Sequence, residues 1–434
     1  MYKNILNNNL YVIDLYIHFC YHIDINNKYM IHSFSCKNFY SFSDLTTVDF
    51  SVSDKAPTNN GYFIAASGKR LSKIETVVGS NASGKTNLLK VLPFLKWLIS
   101  DSFIVNPSSP LPVKPFLFGE SKNKATELSV DFEIQGSTYS YSFILKENKI
   151  LQEDLRVKNK TKQKITSKKL FSRHWDKKTE KYILDDKNFN LPKDFDNLLR
   201  ANASVISLAV RLNHKGSQDI LNFWQKVETN VVEAGWVGDH LLPNSGQQLI
   251  EALDFYSNDK NEALKKEAEK ILSRFDLGLE SFDIKKEKKE NSLSLNVSVS
   301  HLFNGRIENL PMQYESSGTK QLFVLLKTIL LVLNNGGTAI LDEFDVNLHP
   351  EILISLFELF IQPETNPKNA QILFSTHSHR ILSRLDKYQI VLVEKNEEGA
   401  SESWRLDEMG SSVRADDNYY TKYIAGAYGA IPRL

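Results

Sequence analysis

The chain has 434 residues, with 53 Lys+Arg against 52 Asp+Glu, and so a formal charge of only +1. Apolar residues make up 41%, charged residues 24% and aromatics 11%. That profile excludes wholesale disorder, a collagen-like repeat and a polybasic tail, and the length allows two or three domains. Cys20 and Cys36 are the only cysteines. They are too few for a disulfide framework and point to a reducing, cytoplasmic setting.

The apolar run from Leu10 to Ile25 is interrupted by Asp14, His18, His22 and Asp24. It falls short of the roughly 20 apolar residues of a spanning helix. It also lacks the basic start and small-residue cleavage site of a secretory signal. A regular alternation opens at Met30 and runs from Ile31 to Phe39, the pattern of a first strand. Residues 1–29 therefore read as an extension outside the fold, as a start assigned too far upstream would give.

Residues 53–61 read as a loop, and Lys73 to Val78 as a β-rich run feeding a glycine-rich loop. Asn87 to Ile99 has helical spacing of leucines. Pro107, Pro110, Pro112 and Pro115 keep residues 105–119 extended. Strands are expected at 127–134, 138–145 and 149–157. Residues 156–181 then hold eleven Lys/Arg against Asp176 and Glu180. This reads first as a solvated surface, and second as a patch for DNA or another partner. Helical blocks follow at 196–229 and 245–275. The charged stretch 285–290 reads as a hairpin tip, and 292–302 alternates as a strand. No heptads are sustained long enough for a coiled-coil arm.

Four segments carry chemistry. Gly79-Ser80-Asn81-Ala82-Ser83-Gly84-Lys85-Thr86 matches G-x-x-x-x-G-K-[ST], after an expected strand and before an expected helix. In such a loop backbone N–H groups curl around phosphates, Lys85 reaches the β- and γ-phosphates, and the Thr86 hydroxyl ligates Mg²⁺. Thr338 to Glu343 is an apolar strand ending in two carboxylates: Asp342 to anchor Mg²⁺, Glu343 as base for the attacking water. Gln371 to Ser378 is a third apolar strand, ending at His377, about 35 residues after Asp342 and with a helix expected at 351–361 between. That is the spacing of a parallel βαβ unit, and it lets His377 donate to the γ-phosphate. Glu315 to Gln321 caps the apolar helix expected at 322–333, with Ser316 or Ser317 at its start.

The order and spacing of the four segments resemble the ABC-type ATPases, including SMC and RecF-like proteins. The phosphate loop with Asn81, together with the run Asp342 to Pro350 and the closing stretch from Arg414, resembles more specifically the AAA15 and OLD-like abortive-infection ATPases. The resemblance implies an α/β fold: an ABC/SMC-like ATPase head, a mixed sheet with a P-loop core, carrying a largely helical insertion. It implies a first half at 30–157 with the phosphate loop, a basic and helical insertion at 158–280, and a second half at 281–434. Nucleotide binding falls to Gly79, Asn81, Gly84, Lys85 and Thr86, Mg²⁺ to Thr86 and Asp342, and catalysis to Glu343 and His377.

Ser316, Ser317 and Gly318 stand where the family's signature does, matching it at Ser316 and Gly318. They would complete the site of a partner copy in an ATP-sandwiched homodimer or larger homo-oligomer. Asp345 and Asn347 take the place of the D-loop. A glutamine linking the two lobes could be Gln135, Gln152 or Gln163. The resemblance further implies an anti-phage ATPase, like the ATPase subunit of PARIS or AbiL-type systems. Such an ATPase senses a phage protein and controls a separate nuclease-like toxin, and no fused Toprim-type nuclease is expected after His377. A DNA-repair ATPase of RecF or SMC character and a nucleotide-gated scaffold are the alternatives.

Overall fold

The computed structural model describes residues 29–160, 165–231, 245–275, 278–289 and 292–432. The expected extension at 1–29 therefore lies outside the described residues, except for Tyr29, which opens the first strand, Tyr29–Lys37.

The fold is α/β and centred on a six-stranded mixed sheet. Its order is Val227–Thr229, Thr338–Leu341, Gln371–Ser375, Ile74–Val78, Ile390–Lys395 and Ser401–Arg405. All neighbours pair in parallel except the last two. Every residue of Ile74–Val78, Thr338–Leu341 and Gln371–Ser375 is buried, because layers cover both faces. Side chains alternate between two cores. Val77, Ile340, Leu373 and Val391 enter one; Ile74, Val78, Leu341, Ile372 and Phe374 enter the other.

On the first face lie the helices Lys85–Leu89 and Val91–Ser100. The single helix expected at 87–99 is interrupted at Lys90, because Pro93 has no N–H to give the Leu89 carbonyl. Beyond them lies a seven-stranded sheet that includes Tyr29–Lys37, Thr126–Ile134, Ser137–Lys146 and Lys149–Lys160, with all its neighbours antiparallel. The last of these strands turns back as Ile165–Asp176 and then Lys181–Asp185. Much of the basic run 156–181 is therefore strand, and the boundary expected at 157/158 falls inside a hairpin. Leu155 opposite Phe171 and Glu153 opposite Arg173 hold that hairpin to the core.

The helical blocks divide between the two cores. Val205–Arg211 and Lys215–Trp224 join the first, followed by Val227–Thr229, an edge strand where helix was expected. Ser245–Tyr256 and Glu262–Phe275 join the second with Ser317–Asn335 and Pro350–Ile361. The strand expected at 292–302 is Ser292–Phe303, between Leu279–Lys289 and Arg306–Pro311. Of the expected tip, Lys285 to Lys289 lie in a strand and residue 290 is outside the described residues.

Side chains join the two large sheets: Arg405 donates to the Asp49 carbonyl at one edge, and Gln371 bonds Ile31 at the centre. The Gln371 amide oxygen accepts the Ile31 N–H at 2.8 Å, and its nitrogen donates to the Ile31 and Ser72 carbonyls at 3.0 and 3.2 Å. Among the described residues no helix is long and apolar enough to cross a membrane.

Candidate nucleotide site

The central strand ends at Val78 and the loop Gly79–Gly84 begins. A Cβ on Gly79 would lie 2.1 Å from the Val393 carbonyl oxygen, so only glycine fits against the neighbouring strand. Gly84 has φ +116°, and a Cβ there would meet the Ser401 hydroxyl at 2.3 Å. The Lys85 ammonium turns back to donate to the Gly79 and Ser80 carbonyls at 2.9 and 3.0 Å. Burial pulls its pKa below the usual lysine range, against the opposing pull of the Asp342, Glu343 and Asp345 carboxylates. The Ser83 hydroxyl is buried in the loop, without a partner among the described residues.

The carboxylates are held by residues that pattern reading missed. The Asp342 N–H donates to the Asn230 side-chain oxygen at 2.7 Å, and its carbonyl accepts from the same amide at 3.0 Å. The Ser375 hydroxyl donates to the Asp342 carboxylate at 2.5 Å and accepts the Glu343 N–H at 2.8 Å. Glu343 is in the left-handed region, φ +48°, a conformation that costs a non-glycine residue on the order of 1 kcal/mol or more. The Phe344 N–H bonds the Ser375 carbonyl at 2.9 Å and its ring is fully buried, so the turn is pinned on both sides. The Asp345 carboxylate accepts the His377 N–H at 3.0 and 3.2 Å.

A cleft of about 500 Å³ collects Asn81, Gly84, Lys85, Thr86, Asp342, Glu343 and His377. Ser41 and Lys395 also line it. They arrive from distant segments, with Ser41 bonded to the Asn87 amide at 2.9 Å and the Ser401 hydroxyl at 2.8 Å. No spacing rule in the chain points to either. Thr86 and Asp342 supply two oxygen donors, a set that suits Mg²⁺, which keeps several waters and takes its remaining ligands from substrate phosphates.

Other expected residues lie outside this lining. Gly79 sits behind the loop, and Asp345 and Asn347 lie in the turn beyond Glu343. Ser316, Ser317 and Gly318 start the helix Ser317–Asn335, where the Ser316 hydroxyl accepts the Thr319 N–H at 3.0 Å. Ser316 and Ser317 are exposed, and a Cβ on Gly318 would lie 2.9 Å from the Asn347 carbonyl. The helix thus rests on the turn that follows Glu343. Glu315 is buried and paired with His301 at 2.7 Å. Of the three glutamines, Gln135 lies in a turn with φ +50° and Gln152 bonds Asp154 at 2.5 Å. Neither lines the cleft, and Gln163 lies outside the described residues.

Residues 76–383 match the family described as "AAA domain, putative AbiEii toxin, Type IV TA system". The chain belongs to this AAA family. The matched span of the AAA domain runs from within the phosphate-loop strand to beyond His377, and so includes both carboxylates. It leaves out Ser41 and Lys395. No curated protein matches the chain.

Among solved structures, the AAA protein is similar to an Smc head domain with an extended coiled coil, bound to the C-terminal domain of ScpA, from Pyrococcus furiosus. Identity is 14% over 88% of this chain and 98% of that one, with a TM-score of 0.44. An SMC head domain from Thermotoga maritima aligns at 14% identity over 86% and 98%, with a TM-score of 0.37. An SmcHead bound to the C-winged helix domain of ScpA aligns at 15% over 87% and 98%, with a TM-score of 0.43.

Proposed function

We propose that the protein is a Mg²⁺-dependent ATPase whose heads close in pairs on ATP. In the cytoplasm it would sense a phage product and control a separate nuclease-like toxin. The observation that carries the ATPase reading is the Ser375 hydroxyl, which ties Asp342 and Glu343 together in the cleft that holds Lys85 and Thr86. Loop N–H groups and Lys85 grip the phosphates. Thr86 and Asp342 would hold Mg²⁺, which when bound would supply positive charge against the phosphates. Glu343 takes the proton of the attacking water, and His377 donates to the γ-phosphate.

Ser316, Ser317 and Gly318 lie outside their own chain's cleft, and both serines are exposed at the N-terminus of a 19-residue helix. That placement suits the γ-phosphate of a second copy, because the first N–H groups of a helix have no partner within it. The family's description as a toxin–antitoxin component supports the defence assignment. The motif resemblance to AAA15 ATPases supports a separate effector.

The test is Glu343→Gln. ATP should then drive a stable dimer, seen by light scattering, with turnover reduced on the order of a hundredfold or more. Unchanged hydrolysis would refute the base assignment. Co-expression with an adjacent nuclease-like gene, its toxicity switched by phage infection, checks the defence role; an adjacent toxin indifferent to the ATPase would refute it.

A further inference from the structure

A second hollow, of about 470 Å³, opens where the proline-rich segment crosses the ends of Thr126–Ile134 and Ser137–Lys146. Val113, Pro115 and Leu145 supply the apolar part of its lining, and Lys122, Lys124 and Lys146 also line it. Among the described residues none of the three lysines pairs with a carboxylate. Glu147, the one carboxylate in the lining, forms no ion pair either. Three clustered cations against one carboxylate leave the hollow net positive, which favours an anion between them.

The wall is built before any ligand arrives. Asn38 is buried, and its side-chain nitrogen donates to the Ser121, Lys124 and Ala125 carbonyls at 2.9, 3.0 and 3.2 Å. Its oxygen accepts the Phe116 N–H at 3.0 Å, and its carbonyl accepts the Thr126 hydroxyl at 2.7 Å. Across the hollow, a β-bulge at Ile144/Leu145 and a left-handed Glu147, φ +53°, turn the hairpin end. Bulges of this kind re-aim side chains at sheet rims.

We propose that this hollow is a second anion site, which takes the phosphates of a small nucleotide-type ligand on its lysines and the base against Val113 and Pro115. Its volume falls in the range of small-molecule sites, about 300–1,000 Å³. A nucleic-acid backbone is instead met by cations spread along an open track. The site is distinct from the ATP cleft but joined to it by chain. From Asn38 the backbone runs to Tyr40, whose N–H bonds the Lys114 carbonyl at 2.9 Å, and then to Ser41 in the ATP cleft.

The test is equilibrium titration of MANT-ADP into the full chain carrying Lys85→Ala, which removes the phosphate-loop cation. The expected result is saturable, salt-sensitive binding at one site per chain. Adding Lys124→Glu and Lys146→Glu should weaken it by about tenfold or more, and the matching alanine changes by less. Both lysines are exposed, so thermal melting should show these variants folded. No saturable binding, or binding indifferent to the lysine changes, overturns the proposal. So does an oligo-dT 20-mer that binds these lysines more tightly than MANT-ADP, since the hollow would then be a nucleic-acid contact.

Discussion

Replacing Ser375 with alanine isolates the hinge of the proposed chemistry without touching phosphate, metal or water. Ser375 is fully buried and its hydroxyl serves two partners. Removing it deletes a hydrogen bond to the Asp342 carboxylate, a class contributing about 1.5–3 kcal/mol. It also leaves the Glu343 N–H without its acceptor, at a cost of about 1–3 kcal/mol if that group stays dry. Glu343 can recover part of this by relaxing from its left-handed backbone, worth about 1–3 kcal/mol. That same relaxation moves the proposed base.

Steady-state kinetics should therefore show kcat reduced about 10–100-fold, the usual scale for a residue that orients ligands and bases. KM for ATP should stay within about threefold, because Lys85 and the loop amides do not depend on Ser375. Ser375→Thr keeps the hydroxyl and should restore most of the rate. A Ser375→Ala protein with kcat within about twofold of wild type would refute the claim that this hydroxyl sets the carboxylate geometry.

Arg173→Met should cost about 3–5 kcal/mol in urea unfolding, because it strands the fully buried Glu153 carboxylate 2.7 Å away; adding Glu153→Leu should recover part of the loss. Gly79→Ala should abolish ATP binding in a filter or fluorescence assay while the chain still folds, since the new methyl can clear the Val393 carbonyl only by displacing the loop. Burial holds the Lys73 ammonium down at about 8 against an ordinary 10.5, so between those pH values the unfolded chain carries a proton that the folded one lacks. Stability should rise with pH across that window, and Lys73→Met should flatten the rise in denaturation midpoints.

What could be read from the chain divides by whether the signal is local. The phosphate loop was legible because its glycines and lysine have fixed spacing, and the close approach of Val393 to Gly79 shows why no other residue serves there. The strand Thr338–Leu341 and its neighbour Gln371–Ser375 were legible as apolar runs, and their parallel pairing follows from the helix between them. The first arm of the hairpin at 149–176 was legible as the strand expected at 149–157, but its second arm, Ile165–Asp176, was hidden by its own charge. Lysines crowd the sequence, and the inward position opposite Glu153 is an arginine, so the period-2 pattern that marks a half-buried strand is broken. Val227–Thr229 is three residues long and carries no pattern, yet it delivers Asn230 to Asp342. Ser41, Asn230 and Lys395 are single polar residues whose meaning comes only from the strands that bring them together.

The Gln371 amide leaves the protein with a joint that has no slack. Two hydrogen bonds from one buried side chain fix Ile31, in the first strand of the antiparallel sheet, to the start of the strand that ends in Ser375 and leads to His377, and a third holds the Ser72 carbonyl. A displacement of that strand is carried straight to Ile31, a load path across 340 positions of sequence but one side chain of space. The two sheets then act as a single chassis. The layer built on Ser317–Asn335 is joined to that chassis differently, through apolar packing, the turn beyond Glu343 and the Lys226 ammonium on the Asn335 carbonyl at 3.0 Å.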